Sequence, residues 1–316
     1  MFHEGNLMKS KPPERVLRVK QVDVFTDRRL AGNPLAVILD GEGLTTDEMQ
    51  AIAREMNLSE TTFVLTPSDP RASYKIRIFT PAKEIPFAGH PSIGTAFALL
   101  EEKRIAVRGP KVTVHQETGI GVLPIDIYVK DGEVERIVMT QGQPEFGQII
   151  QDIEPIAQSL ETPVEEITST GLRPQAVSTG ILQLIVPMRS LRAVSSLNPD
   201  FSALKKVEEE LGLVGCCVFT RETITPEAFV HVRFFAPSAG VHEDPATGSA
   251  AGGLGAYLCK YGLLGTQVPA VFTIEQGYEI LRPSRIHVEV EHQRGDPTAV
   301  RVGGRAITVF EGKIML

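Results

Sequence analysis

The feature that most constrains this chain is a stretch written twice. Residues 77–100 read RIFTPAKEIPFAGHPSIGTAFALL, and residues 233–258 read RFFAPSAGVHEDPATGSAAGGLGAYL. Both copies run from an arginine through two apolar residues to a small residue and a proline, then through a variable loop to Pro-x-x-Gly-[Ser/Thr]-Ala. An apolar run ending at proline predicts a strand, because proline cannot continue a ladder. Pro91 and Pro245 predict helix starts, since the missing N–H costs nothing at the first helical position. Ile93, Ala96, Phe97 and Leu100 follow at helical spacing, as do Ala250, Leu254, Tyr257 and Leu258. Gly94 and Gly248 then fall in first turns, where free N–H groups carry the positive end of the helix dipole and suit a carboxylate or phosphate. Two such units point to one cleft lined from both sides.

The repeat extends further. GILQLIVP at 180–187 stands where residues 32–39 stood, LNPDFSALKKVEEELGL stands where LTTDEMQAIAREMNL stood, and GCCVFT stands where TTFVLT stood. Roughly 30–100 therefore matches 180–258, which predicts two domains of one topology, a division that 316 residues accommodate. The expected bounds are a disordered extension over 1–15, a first domain over 16–112 and a second over 113–299, with a terminal strand at about 300–316 able to return to the first. Within this frame Gly32-Asn33-Pro34 reads as a turn, Lys130-Asp131-Gly132-Glu133 as a hairpin turn, and the acidic stretch 150–167 as a surface helix.

Composition narrows the function classes. A net charge of -7 gives no basic footprint for nucleic acid, and no apolar run approaches membrane-spanning length. The N-terminal stretch carries charge but no signal-peptide core. Cys216, Cys217 and Cys259 form no CxxC and read as packing residues in a reduced, cytoplasmic protein. Seven scattered histidines with no ligand spacing predict no metal site.

Three ionisable residues stand out. His90, at a loop end before Pro91, suits proton transfer near neutrality, or is an exposed turn histidine. Asp244, at the equivalent point before Pro245, reads first as a helix N-cap, a role compatible with facing a substrate. Glu60, at the start of an apolar strand, would be partly desolvated and its pKa raised, unless it is an ordinary surface glutamate. In the repeat it faces Val214, so the second half offers nothing acidic there. Ser249 and Thr95 could each donate a hydroxyl to a bound anion, or satisfy a first-turn backbone group.

The segments GNPLAVILD, SETTFVL, RIFTPAKEIPFAGHPSIGTA, HEDPATGSAAGGLGAYL and EQGYEILRPSRIHVEV resemble the PhzF family of phenazine-biosynthesis-type isomerases over nearly the whole chain. The resemblance implies an α+β, diaminopimelate-epimerase-like fold: two pseudo-symmetric domains, each a sheet wrapped around a central helix, with the active site between them. It implies that Glu60 is a proton shuttle assisted by His90 and Asp244, and that Gly89, Gly248 and Ser249 hold the substrate. The implied reaction is cofactor-free isomerisation of a small carboxylate-bearing molecule, in a homodimer, with dihydro-hydroxyanthranilate as one candidate substrate. Two-thiol racemisation is not available, because the corresponding loops hold Gly89-His90 and Asp244. An epimerase with unequal bases and a non-catalytic carboxylate-binding protein are the alternatives.

Overall fold

The computed structural model describes residues 15–316, so the expected extension at 1–15 lies outside the described residues except for Arg15. The first half contains β1 (Val16–Val24), β2 (Asn33–Ile38), α1 (Thr46–Met56), β3 (Glu60–Leu65), β4 (Tyr74–Phe79), β5 (Glu84–Ile85), α2 (Gly89–Glu101), β6 (Lys111–Thr118), β7 (Gly121–Lys130) and β8 (Glu133–Thr140). The second contains β9 (Glu145–Ile149), α3 (Glu154–Ser159), α4 (Glu165–Thr168), β10 (Gln175–Ser178), β11 (Leu182–Pro187), α5 (Leu191–Ser195), α6 (Phe201–Leu211), β12 (Cys216–Thr220), β13 (Val230–Ala236), β14 (Val241–Asp244), α7 (Gly248–Lys260), β15 (Ala270–Gln276), β16 (Ser284–Gln293), β17 (Asp296–Gly304) and β18 (Ala306–Met315).

Strand pairing repeats with the sequence. In the first half β2 runs parallel to β3 and β4 parallel to β6, with antiparallel neighbours elsewhere. In the second, β11 runs parallel to β12 and β13 parallel to β15. The parallel pairs require crossovers, which α1 and α2 supply in one half and α5, α6 and α7 in the other. β8 pairs with β17, joining the halves, while β18 pairs with β1 and β9 with β10. On this pattern we propose to divide the chain between β8 and β9, rather than near 112, with β18 in the first unit.

Each half wraps its sheet around one helix. α2 packs against β1, β2, β3, β7, β8 and β18, and α7 against β10, β11, β16 and β17. Almost every residue of α7 is buried, including Leu254, Tyr257 and Leu258. Glycines in a helix cost about 1 kcal/mol each relative to alanine. Gly255 is kept because a Cβ there would lie 2.9 Å from Val288 Cγ1, so the sheet closes onto bare backbone. Gly94 has the same reason: its Cβ would meet Leu35 Cδ2 at 2.6 Å. It is a packing residue in mid-helix, not the first-turn ligand glycine expected from the sequence.

Local signals hold in several places. α1 opens with a capping box between Thr45 and Glu48, and α6 is capped by Asp200, which accepts from the N–H groups of Ser202 and Ala203. The β7–β8 hairpin turns at Asp131 and Gly132, both at positive φ. The acidic stretch expected as one surface helix is instead the two short helices α3 and α4, because Ile156, Ala157 and Ile167 are drawn into a core beneath them. No helix among the described residues is long and apolar enough to cross a membrane.

A repeated ionic clamp fixes the β3–β4 and β12–β13 loops. Lys75 stands beside Glu117 in the β4–β6 register, and His231 stands beside Glu275 in the β13–β15 register. Glu117 accepts from the N–H groups of Ser68 and Asp69 and pairs with Lys75 at 2.7 Å. Glu275 accepts from the N–H groups of Ile224 and Thr225 and pairs with His231 Nδ1 at 2.9 Å. The second half adds Glu279 on His231 Nε2 at 3.0 Å. With both carboxylates bonded to it, the buried His231 is held charged, its pKa raised to about 9 against the opposing effect of burial.

Candidate active site

Where the two central helices begin, the halves meet. A Cβ on Gly89 would lie 3.9 Å from Gly248 Cα, so the two N-termini face each other with no side chain between these residues. Both starts differ from expectation. α2 begins at Gly89, which puts Pro91 at its third position, still within the turn whose N–H groups lack helical acceptors. α7 begins at Gly248, and Pro245 lies three residues ahead of it. Neither Ala88 nor Thr247, the N-cap residues, bonds a first-turn N–H with its side chain. The result is a pair of uncapped helix termini suited to an anion.

Asp244 is consequently not an N-cap; it ends β14. Its Oδ1 accepts from Asn33 Nδ2 at 2.9 Å, and its Oδ2 accepts from the Thr247 hydroxyl. Gln276 Nε2 donates to the Asp244 carbonyl at 2.7 Å and so ties β15 to the segment entering α7. Asn33 comes from the other half, and its amide also donates to Ala246 O at 2.8 Å. Expected as a turn residue, Asn33 is instead the buried first residue of β2 and bridges the halves. Burial raises the Asp244 pKa to about 6, against the bonds from Thr247 and Asn33 that favour the ionised form.

Glu60 and His90 approach from the first half. His90 Nε2 lies 3.3 Å from Glu60 Oε2, but out of hydrogen-bond alignment, so both buried atoms are without a protein partner. Burial pushes the His90 pKa down to about 3, which keeps the imidazole neutral. Burial, followed by repulsion from Asp244, pushes the Glu60 carboxyl up to about 8. At neutral pH the arrangement is a protonated carboxyl beside a neutral imidazole, with an ionised carboxylate near enough to raise the pKa of the first. Their proton affinities are pushed well apart, so of the three Glu60 is the group that holds a proton at neutral pH.

The remaining expected residues divide. Ser249 is the second residue of α7, and its Oγ accepts from Gln183 Nε2 at 2.9 Å. Thr95 is buried and its hydroxyl is engaged with Thr62 Oγ1 at 2.9 Å.

The residue opposite Glu60 also changes. Thr61 pairs with Phe79 and Cys216 with Phe235, which matches Glu60 to Gly215 instead of Val214. A Cβ on Gly215 would lie 2.3 Å from Phe234 Cζ, so a phenyl ring fills the place that a second carboxylate would need. Asn33, Gln183 and Gln276 were missed. The available signal was an amide in strands that are otherwise apolar for Asn33 and Gln183, NPLAVI and LQLIVP, whereas Gln276 in AVFTIEQ follows Thr273 and Glu275 and carried no such signal.

Comparison with known proteins identifies the family of the chain. The family model described as phenazine biosynthesis-like protein, PhzC-PhzF, matches residues 22–312. An uncharacterised isomerase of Clostridium acetobutylicum is 35% identical over 305 residues, covering 96% of this chain and 99% of its own. The trans-2,3-dihydro-3-hydroxyanthranilate isomerase of Pseudomonas aeruginosa is 35% identical over 306 residues, covering 93% of this chain and 98% of its own. The crystal structure of a Bacillus anthracis PhzF-family protein superposes with a TM-score of 0.87 at 31% identity, covering 96% of this chain and 100% of that one. With the diaminopimelate-epimerase-like architecture built around α2 and α7, these matches make the chain an isomerase that belongs to the PhzF family.

Proposed function

We propose that this protein is a cofactor-independent isomerase that moves a proton within a small carboxylate-bearing substrate, with Glu60 as the shuttle. The observation that carries the reading is the raised Glu60 carboxyl 3.3 Å from a neutral His90, at the point where two uncapped helix termini meet. The substrate carboxylate sits on the N–H groups of Gly89 and Gly248 and on the Ser249 hydroxyl. Glu60 removes a proton from carbon next to an electron-withdrawing system and returns it elsewhere on the same face. His90 keeps the shuttle desolvated and hydrogen-bonds the rearranging intermediate, while the charge of Asp244 raises the affinity of Glu60 for the proton it abstracts before handing it back to the substrate. Phe234 over Gly215 supports a one-sided shuttle over an epimerase with a base on each wall. Trans-2,3-dihydro-3-hydroxyanthranilate, the substrate for which the Pseudomonas relative is named, is the first compound to assay. The homodimer and the cytoplasmic setting are part of the same proposal, supported by the family and by three free, buried cysteines.

The test is solvent deuterium incorporation into a panel of small cyclic and acyclic carboxylic acids, followed by mass spectrometry. Incorporation into at least one acid is expected; none in any acid, with those acids shown to bind, would sink the isomerase reading. The pH profile adds a sharper expectation. Log kcat/KM rises with pH and levels off above about 8, where the free enzyme's Glu60 loses its proton. A profile already flat at pH 5 would mean a different base.

Asn33 is a positioning residue in this scheme. Replacing it with alanine removes the bridge to Asp244 and is expected to lower kcat about tenfold to hundredfold with KM changed less. An equal rise in KM with kcat intact would place Asn33 in substrate binding instead.

A further inference from the structure

Gln183 carries a buried amide with one of its two polar atoms unpaired. It is 2% exposed, between Leu182 and Leu184 on β11. Its Nε2 donates to Ser249 Oγ on the first turn of α7, while its Oε1 is buried and has no partner. Turning the carboxamide over would leave the nitrogen idle instead, so one polar atom is open in either orientation. The orientation present also leaves the Ser249 proton free for an anion at the helix terminus.

The internal repeat shows that the fold does not require an amide here. Ala36 pairs with Thr61 and Leu184 with Cys216, which places Leu35 of the first half at the position of Gln183. Leu35 packs into the space left by Gly94 and makes an ordinary apolar contact. A second idle amide lies in the same wall: Gln141 Nε2 is buried without a partner, and Gln141 Cγ would be 3.2 Å from a Cβ on Gly252, one turn along α7. Buried amides that lack partners are uncommon, and a ligand that supplies the missing partner explains their retention.

We propose that Gln183 is a specificity-determining residue of this cleft, its Oε1 accepting a hydrogen bond from a hydroxyl or amino substituent of the substrate. The inference rests on the carboxylate-isomerase reading and narrows its substrate class. The open oxygen lies within about 5 Å of Ser249 Oγ, the sum of the bond to Nε2 and the width of an amide.

The test is calorimetric binding of benzoate, 2-aminobenzoate and 3-hydroxybenzoate to the wild-type protein and to Gln183→Met, with Gln183→Leu as a second variant that copies Leu35. The wild type is expected to bind at least one substituted acid about tenfold to hundredfold more tightly than benzoate, and both variants to bind all three within about threefold with benzoate affinity kept. Three results would overturn the proposal: no preference in the wild type, an undiminished preference in a folded variant, or loss of benzoate binding along with the others. Failure of the isomerase reading is a separate result, an absence of deuterium incorporation in a protein that still discriminates these acids through Gln183.

Discussion

Glu60→Gln is expected to lower proton exchange about 10³-fold while making the protein more stable at alkaline pH. Glutamine keeps the volume and polarity of the side chain but cannot carry a proton between two carbons. The stability gain follows from linkage. The folded pKa of about 8 lies above the ordinary value of 4.5, so the folded state holds this proton more tightly than the unfolded one. The stability associated with that proton is complete below pH 4.5, declines above it and is gone once pH has passed through about 8. Glutamine removes the pH-dependent deficit, so the variant melts higher than wild type at pH 9 and not at pH 4. Activity lost with stability gained separates a poised acid–base group from a structural one. A variant that is both slow and less stable at pH 9 would mean that Glu60 is held for packing.

The second large effect lies in the ion cluster between β13 and β15. His231→Ala is expected to destabilise the protein by about 3–5 kcal/mol at pH 6, because Glu275 and Glu279 remain facing each other in a buried site with their shared cation removed. The raised His231 pKa fixes the sign with pH: the stabilisation is fully present below the unfolded value of 6.5 and is lost as pH rises through about 9. Glu279, lowered to about 2, contributes above its unfolded value of 4.5 and loses that contribution as pH falls through about 2. The cluster is therefore strongest between about pH 4.5 and 6.5. Urea melts at pH 6 and pH 10 check this, with the gap between wild type and variant expected to narrow at pH 10. A gap unchanged with pH would show that lost packing, not the ion cluster, sets the cost.

The repeat was legible because its signals are local. An apolar run ending at proline and a 3.6-residue period depend on residues within one turn or one strand, and both copies carry them. The helix starts were less legible, since Pro91 and Pro245 look alike and are used differently. Proline is tolerated anywhere in a first turn, as at Pro91, whereas Asn33, Thr247 and Gln276 hold the chain around Asp244 and Pro245 extended before α7 begins. The pairing of Glu60 with Val214 failed by a single residue, which in a strand exchanges one face of the sheet for the other. Asn33 and Gln183 could not be assigned partners at all, because those partners lie 211 and 66 residues away. Glu60, His90 and Asp244 stood out because the internal comparison exposed where the symmetry breaks, and their roles came from the resemblance to the PhzF family.

The most direct measurement is a carbon-13 NMR titration of the glutamate carboxyl resonances, with the Glu60 signal assigned by its absence from Glu60→Gln. A midpoint near pH 8 is predicted, since burial and the Asp244 charge both oppose ionisation. A midpoint near the ordinary 4.5 would contradict it, leaving Glu60 an ordinary solvated carboxylate whose basicity burial has not raised for proton abstraction.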